Sequence, residues 1–130
     1  MIAGTLSLVT KLLGTPYAPD LSGHILLLED IWERVHKIEG YFEHLSLSGA
    51  LNETTALLLG DFTPAETEEY SDVPSNEDLL NRVFKSYRKP FYSGINYGHI
   101  PSLLSIPIGL PLEFSFSEQN KVRTLKNLFQ

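Results

Sequence analysis

The stretch His24-Ile25-Leu26-Leu27-Leu28-Glu29-Asp30 decides the fold. A turn, Asp20-Leu21-Ser22-Gly23, stands directly before it. Four large apolar residues in succession suit a strand covered on both faces. Periodicity alone also admits a helix, but the run is too short for one. A second run, Thr55-Ala56-Leu57-Leu58-Leu59, repeats the pattern and is closed by Gly60-Asp61. Between the two, Glu33 to Gly49 reads as a helix. Val35, Ile38, Phe42 and Leu45 form its apolar stripe with Tyr41 beside them, and Arg34, Lys37 and Glu43 fall elsewhere on the wheel. A strand, a helix and a strand in that order predict parallel pairing.

Working outward, Leu6, Val9 and Leu13 recur at helical spacing, joined by Leu12. They predict a short helix, with Gly14 as its terminator and Pro16 blocking continuation. Beyond the second run, Thr63 to Pro74 carries Glu66, Glu68, Glu69 and Asp72 without an opposing charge, which predicts an exposed loop. Ser75 and Asp78 resemble a capping box, and Leu79, Leu80, Val83, Phe84 and Tyr87 line the face of a helix that Pro90 stops. Phe91 to Ile95 is a third short strand candidate, and Leu103 to Pro107 a fourth. Leu110, Leu112, Phe114 and Phe116 alternate with Pro111, Glu113, Ser115 and Ser117, the period of a half-buried strand. Glu118-Gln119-Asn120 makes a turn, and Val122 to Leu125 is expected to return antiparallel. The expected fold is α/β: a mixed sheet of short parallel strands plus a C-terminal antiparallel hairpin, in one domain spanning residues 1–130.

Composition narrows the function. A length of 130 residues is one ordinary domain. Hydrophobic residues at 42% against 20% charged make it globular rather than disordered. A formal net charge of -6 argues against nucleic acid or an anionic membrane as the main partner. With no cysteine, disulfides, zinc-thiolate sites, iron–sulfur clusters and cysteine nucleophiles are excluded. No apolar run approaches the roughly 18 residues of a membrane span. Met1 to Thr10 lacks a basic segment followed by a small-residue cleavage site, so a cytoplasmic location is expected. Charge is uneven, with ten acids and no Lys or Arg between Lys37 and Arg82. Solvated faces of opposite sign account for it.

Three polar stops follow the apolar runs: Glu29-Asp30, Asp61 and, after the third strand candidate, His99. In open parallel sheets, groups just beyond the strand carboxyl ends converge on one edge. There a carboxylate accepting a hydrogen bond from a histidine ring nitrogen fixes the tautomer and stabilises the imidazolium formed when the other nitrogen takes a proton. Gly94 and Gly98 precede His99 in a loop that must bend tightly. Acids also end strands simply because strands end at the surface. Glu33 and His36 have the Glu-x-x-His spacing of di-iron helices, but no second copy exists, so an exposed polar face is the simpler reading. His24 and His44 read as boundary or surface histidines. Trp32 either walls a pocket or packs. No phosphate-binding loop, dinucleotide fingerprint or His-Glu-x-x-His motif is present. No Gly-x-Ser-x-Gly elbow is present either, so a general base is expected without a nucleophile.

Taken together, several segments resemble one family. They are Gly4-Thr5-Leu6-Ser7-Leu8, Leu13-Gly14-Thr15-Pro16, Ile25 to Asp30 with Glu33, Ser48-Gly49-Ala50-Leu51, Leu59-Gly60-Asp61-Phe62, Gly94 to His99 and Ile106-Pro107-Ile108-Gly109. In this order, over nearly the whole chain, they resemble the C-terminal domain of the LD-carboxypeptidases, a serine peptidase family that includes the microcin-immunity peptidases. The resemblance implies a swivelling β/β/α-type domain, with the nucleophilic serine on a flavodoxin-like N-terminal domain that is absent here. It implies Glu29 and His99 as the acid and histidine of a Ser-His-Glu triad. The implied substrate is a muropeptide whose terminal D-amino acid is released from an L-centre, or a peptidyl nucleotide in the immunity branch. No cofactor is implied. Where the family often carries an Asp-Arg pair on the helix after the position of Glu33, this chain has Glu39 and Gly40. Asp30 is expected to be structural.

Two rivals remain at this point. One is a binding or assembly module that keeps the fold without the chemistry. The other is a metal site built from Glu29, Asp61 and His99. Loss of a partner domain would also leave an apolar patch near the Glu29/His99 edge, covered by self-association as a homodimer.

Overall fold

A computed structural model describes residues 1–64, 87–102, 105–115 and 121–124. The elements in chain order are β1 (Ile2–Thr5), α1 (Leu6–Leu12), β2 (Ile25–Glu33), α2 (Val35–Leu47), α3 (Ala50–Glu53), β3 (Ala56–Pro64), β4 (Phe91–Tyr92), β5 (Leu112–Ser115) and β6 (Lys121–Thr124). The first four strands form one parallel sheet in the order β1-β2-β3-β4, and β5 pairs with β6 antiparallel. The α/β class, the parallel pairing and the antiparallel hairpin are all as the sequence predicts.

The two leucine runs are the sheet's centre. Successive side chains of a strand face opposite sides, and here they divide cleanly. Leu26, Leu28, Leu57 and Leu59 join Leu6, Val9, Ile38, Phe42 and Leu45 in the core beneath the helices. Leu27 and Leu58 face the other way, into a smaller core with Met1 that Ile95, Tyr97, Ile106 and Leu112 partly cover. All six leucines are completely buried, each stabilising the fold by about 1.5–3 kcal/mol relative to exposure.

Several boundaries differ from the sequence reading. β1 was not expected: its four residues are too few for periodicity to register, and only pairing with β2 makes them a strand. The expected helix from Glu33 to Gly49 starts at Val35 and ends at Leu47, with Gly49 in the left-handed region at φ 81° and a separate turn of helix, α3, behind it. The third strand keeps only Phe91 and Tyr92 of the expected Phe91–Ile95. Residues 105–107 are not strand, and 103–104 lie outside the described residues. β5 starts at Leu112 rather than Leu110, and residues 116–117 lie outside the described residues. The acidic loop beyond Pro64 and the helix expected from Ser75 lie outside the described residues, apart from Tyr87. Among the described residues no helix is long and apolar enough to cross a membrane.

The main correction concerns Glu29-Asp30 and Gly60-Asp61. They do not end their strands but lie inside them, because β2 and β3 each run on for several residues past the leucines. Pairing is regular through Leu28↔Leu59, then resumes at Asp30↔Phe62, so Gly60 and Asp61 together stand opposite Glu29. A second irregularity follows between Ile31↔Thr63 and Glu33↔Pro64, where Trp32 is the additional residue on β2. The two bulges offset each other. Bulges of this kind locally re-aim side chains.

Candidate active site

Glu29 and His99 are neighbours. His99 Nδ1 lies 2.9 Å from Glu29 Oε2 although 70 residues separate them. The carboxylate is buried, with 5% of its side chain exposed, while 56% of the imidazole side chain is exposed. The other carboxylate oxygen, Oε1, accepts a hydrogen bond from the Thr5 hydroxyl at 2.7 Å. Both carboxylate oxygens are therefore engaged, as burial of such a group requires. A carboxylate only accepts, so Nδ1 carries the proton whenever Glu29 is ionised. Nε2 is then the nitrogen left to take a proton, and it has no hydrogen-bond partner among the described residues.

The loop that brings His99 to Glu29 is held to β3 by its backbone. Ile95 N–H donates to Leu59 O at 3.1 Å, and Asp61 N–H donates to Tyr97 O at 2.8 Å. The approach is so close that a Cβ on Gly60 would lie 2.2 Å from Tyr97 O. Gly98 is less crowded, a Cβ there lying 3.3 Å from Glu29 Oε2 and 3.2 Å from Asp61 Cβ, but its φ of 132° is one that side-chain-bearing residues rarely adopt. A side chain at Gly60 would displace the loop, and one at Gly98 would strain the backbone and press on Glu29 and Asp61. Tyr97 packs beside the pair, and its phenol is pushed above its ordinary range, first by burial and then by the Glu29 charge.

The remaining candidates go elsewhere. Asp30, one residue from Glu29, faces the helix side of the sheet. Its Oδ2 accepts from Ser7 N–H at 2.8 Å at the start of α1, and its Oδ1 from Ile31 N–H at 2.9 Å. Asp61 accepts a short hydrogen bond from the Thr63 hydroxyl. Glu33 meets Lys37 at 3.5 Å and the Tyr41 hydroxyl at 3.3 Å, and His36 is exposed. No group of three His, Asp or Glu among the described residues is placed to hold a metal ion. His24 Nδ1 lies 2.9 Å from Ser22 O, and His44 is exposed. Trp32 does not pack: it is 75% exposed and is the one non-glycine residue with positive φ among those described, at 58°. A pocket of about 380 Å³ opens at the opposite edge of the sheet, lined by Met1, His24, Ile25 and Thr55 among others, and shares no residue with this site.

Sequence spacing predicted that a carboxylate and the His99 imidazole would meet, and the resemblance singled out Glu29 among the acids, but both missed Thr5 and the role of Gly60. Thr5 belongs to the strand that was not recognised, and nothing in the spacing links it to residue 29.

Residues 1–114 match the model of the LD-carboxypeptidase C-terminal domain. The chain belongs to that family. It is 30% identical over 122 residues to a probable murein peptide carboxypeptidase of Bacillus subtilis, covering 94% of this chain and 38% of that protein. It is 26% identical over 121 residues to the microcin C7 self-immunity protein MccF of Escherichia coli, covering 92% of this chain and 35% of that protein. Among solved structures, the muramoyltetrapeptide carboxypeptidase of Oxalobacter formigenes superimposes with a TM-score of 0.79 at 29% identity, over 92% of this chain and 42% of that one. Structures of MccF superimpose equally well, at 0.79, with 22% identity over 97% of this chain and 37% of theirs. The chain thus spans between one third and one half of the length of these relatives.

Proposed function

We propose that this chain supplies the general base of a serine LD-carboxypeptidase, with His99 as the base, Glu29 as its orienting acid, and the nucleophilic serine carried by a second domain outside these 130 residues. The observation that supports it is the buried Glu29 carboxylate holding an exposed imidazole through Nδ1. In this reading the serine hydroxyl approaches the free Nε2. As its oxygen attacks the carbonyl at an L-centre, its proton passes to Nε2, and the imidazolium is stabilised across Nδ1–H by Glu29. The tetrahedral intermediate then collapses with cleavage of the C–N bond, and the same Nε2 proton goes to the departing amine of the terminal D-amino acid. Water repeats the cycle to free the serine. The exposure of the ring suits this role, because a second domain must reach it. Leu8, on the first turn of α1, and Trp32, three residues beyond Glu29 on β2, are both exposed, and in this reading they are among the apolar side chains that domain covers. In its absence the chain is expected to self-associate there, as a homodimer.

The test is complementation. The chain alone should not release D-alanine from an LD-tetrapeptide, and addition of the serine-bearing domain of a full-length relative should restore release. A complex that forms normally but releases nothing from the tetrapeptide or from a peptidyl nucleotide would overturn the reading. Release from the nucleotide conjugate alone would assign the immunity-type substrate instead.

A further inference from the structure

Thr5 stands at the N-cap of α1, where a threonine hydroxyl ordinarily accepts a hydrogen bond from a backbone N–H of the first turn. Its hydroxyl makes no such bond. It donates instead to Glu29 Oε1, across the β1–β2 pairing that sets Thr5 beside Glu29. The missing cap comes from the neighbouring strand, since Asp30 accepts the Ser7 N–H. Two adjacent acids on β2 thus exchange duties with the N-cap residue of a helix: Asp30 caps the helix, and Thr5, which would have capped it, is released to hold Glu29.

We propose that Thr5 is a positioning residue for the Glu29–His99 pair, fixing the orientation in which the carboxylate meets the imidazole and, through it, how firmly the proton is held on Nδ1. The inference deepens the proposed function and rests on its assignment of Glu29 and His99. With Oε1 held by Thr5, the buried carboxylate cannot turn about its last bond without losing a hydrogen bond. Oε2 therefore stays aimed at Nδ1. The imidazole itself is more than half exposed, so packing does not orient it. Its orientation is set by the bond to Glu29 and by the anchorage of its loop at Leu59 and Asp61. Removing the hydroxyl leaves one buried oxygen without a donor, a costly state that the carboxylate relieves by rotating. The turned carboxylate meets Nδ1–H at poorer geometry, so the bond that favours this tautomer weakens and the ring is freer to adopt the Nε2–H form, which cannot accept the serine proton at Nε2.

The test uses the chain as it stands. With ¹³C-labelled histidine at alkaline pH, the His99 ring resonances, identified by their absence in His99→Gln, report the tautomer ratio. Wild type and Thr5→Ser should hold the ring chiefly as Nδ1–H, whereas Thr5→Val should shift the Nδ1–H to Nε2–H ratio by roughly tenfold, the scale of one hydrogen bond to a charged group. Thr5→Ala serves the same comparison if the valine variant does not fold. Leu27→Ala, in the smaller core and outside this exchange, is the control: it should lower the melting temperature but leave the His99 ratio unchanged. A Thr5→Val or Thr5→Ala ratio equal to wild type would overturn the inference, leaving Thr5 as a structural strut only. In complex with the serine-bearing domain, Thr5→Val should lower kcat by about tenfold with KM unchanged, and Thr5→Ser should restore it. Because the tautomer ratio needs no turnover, failure of this inference is distinguishable from failure of the peptidase reading.

Discussion

The two halves of β2 differ as much as two segments of one strand can. From Ile25 to Leu28 the pairing with β3 is regular, the residues are uniformly apolar, and neighbouring leucines are shared between two cores. From Glu29 to Glu33 the pairing breaks twice, two carboxylates are buried, and a tryptophan projects into solvent from a left-handed backbone. The first half specifies a fold and has few ways to do anything else. The second half departs from each rule the first obeys, and the groups with chemical capability are concentrated there. Regular structure positions the site, and irregular structure composes it.

Substitutions in the two halves should fail differently. The largest effect is expected at the site. His99→Gln in the complemented enzyme should reduce D-alanine release by about a million-fold, as removal of a triad histidine does, with a smaller stability loss than a core truncation, that of one buried Glu29 oxygen losing its donor. A loss of less than tenfold would show that His99 is not the base. Leu27→Ala should do the reverse. It removes a fully buried side chain from the smaller core and should cost about 2–5 kcal/mol in urea unfolding, while activity per folded molecule is retained. If Leu27→Ala instead impaired kcat in a fully folded sample, the division of β2 into a structural and a chemical half would be wrong.

Asp30 sits on the chemical half but is assigned a structural task, so it sharpens the comparison. Asn at this position keeps one acceptor oxygen and presents an NH2 group to the second backbone N–H. One buried donor of Ser7 or Ile31 is then unpaired, at a cost of about 1–3 kcal/mol. Thermal unfolding should show the loss, and the complemented enzyme should keep its kcat within about threefold, a change too small for a lost catalytic group. A large fall in kcat at unchanged stability would place Asp30 in the chemistry beside Glu29.

How far these features were legible in the sequence follows the same division. The leucine runs announce buried parallel strands because four apolar residues in succession depend only on local composition. The stripe of Val35, Ile38, Phe42 and Leu45 announces its helix for the same reason. Glu29 and His99 were identifiable as polar residues following apolar runs, though the reason offered, that the strands stop there, does not hold: both strands continue. What remained illegible depends on pairs distant in sequence. β1 is a strand because β2 lies beside it. The need for glycine at position 60 arises from the Tyr97 carbonyl. Thr5 looks like an ordinary helix cap until Asp30 is seen to have taken that place. Local periodicity contains none of these relations.

Trp32 gives the smallest and most pointed test. A bulky side chain at φ 58° is strained, and left-handed backbone in a non-glycine residue costs about 1–3 kcal/mol unless its surroundings enforce it. Here the surroundings offer little in return, since three quarters of the residue is exposed. Glycine meets the same backbone geometry without strain but gives the unfolded chain more freedom, so Trp32→Gly should stabilise the chain by a net of roughly 0.5–1 kcal/mol in urea unfolding followed by circular dichroism. As the chain has a single tryptophan, the same substitution removes the native fluorescence signal and confirms its source. A gain in stability would mean that the indole is kept at a thermodynamic cost, which is expected of a residue serving the edge beside Glu29 rather than the fold. A loss in stability would mean that its contacts outweigh the strain. The second bulge would then belong with the leucines as architecture, and the boundary between the two halves of β2 would move to Ile31.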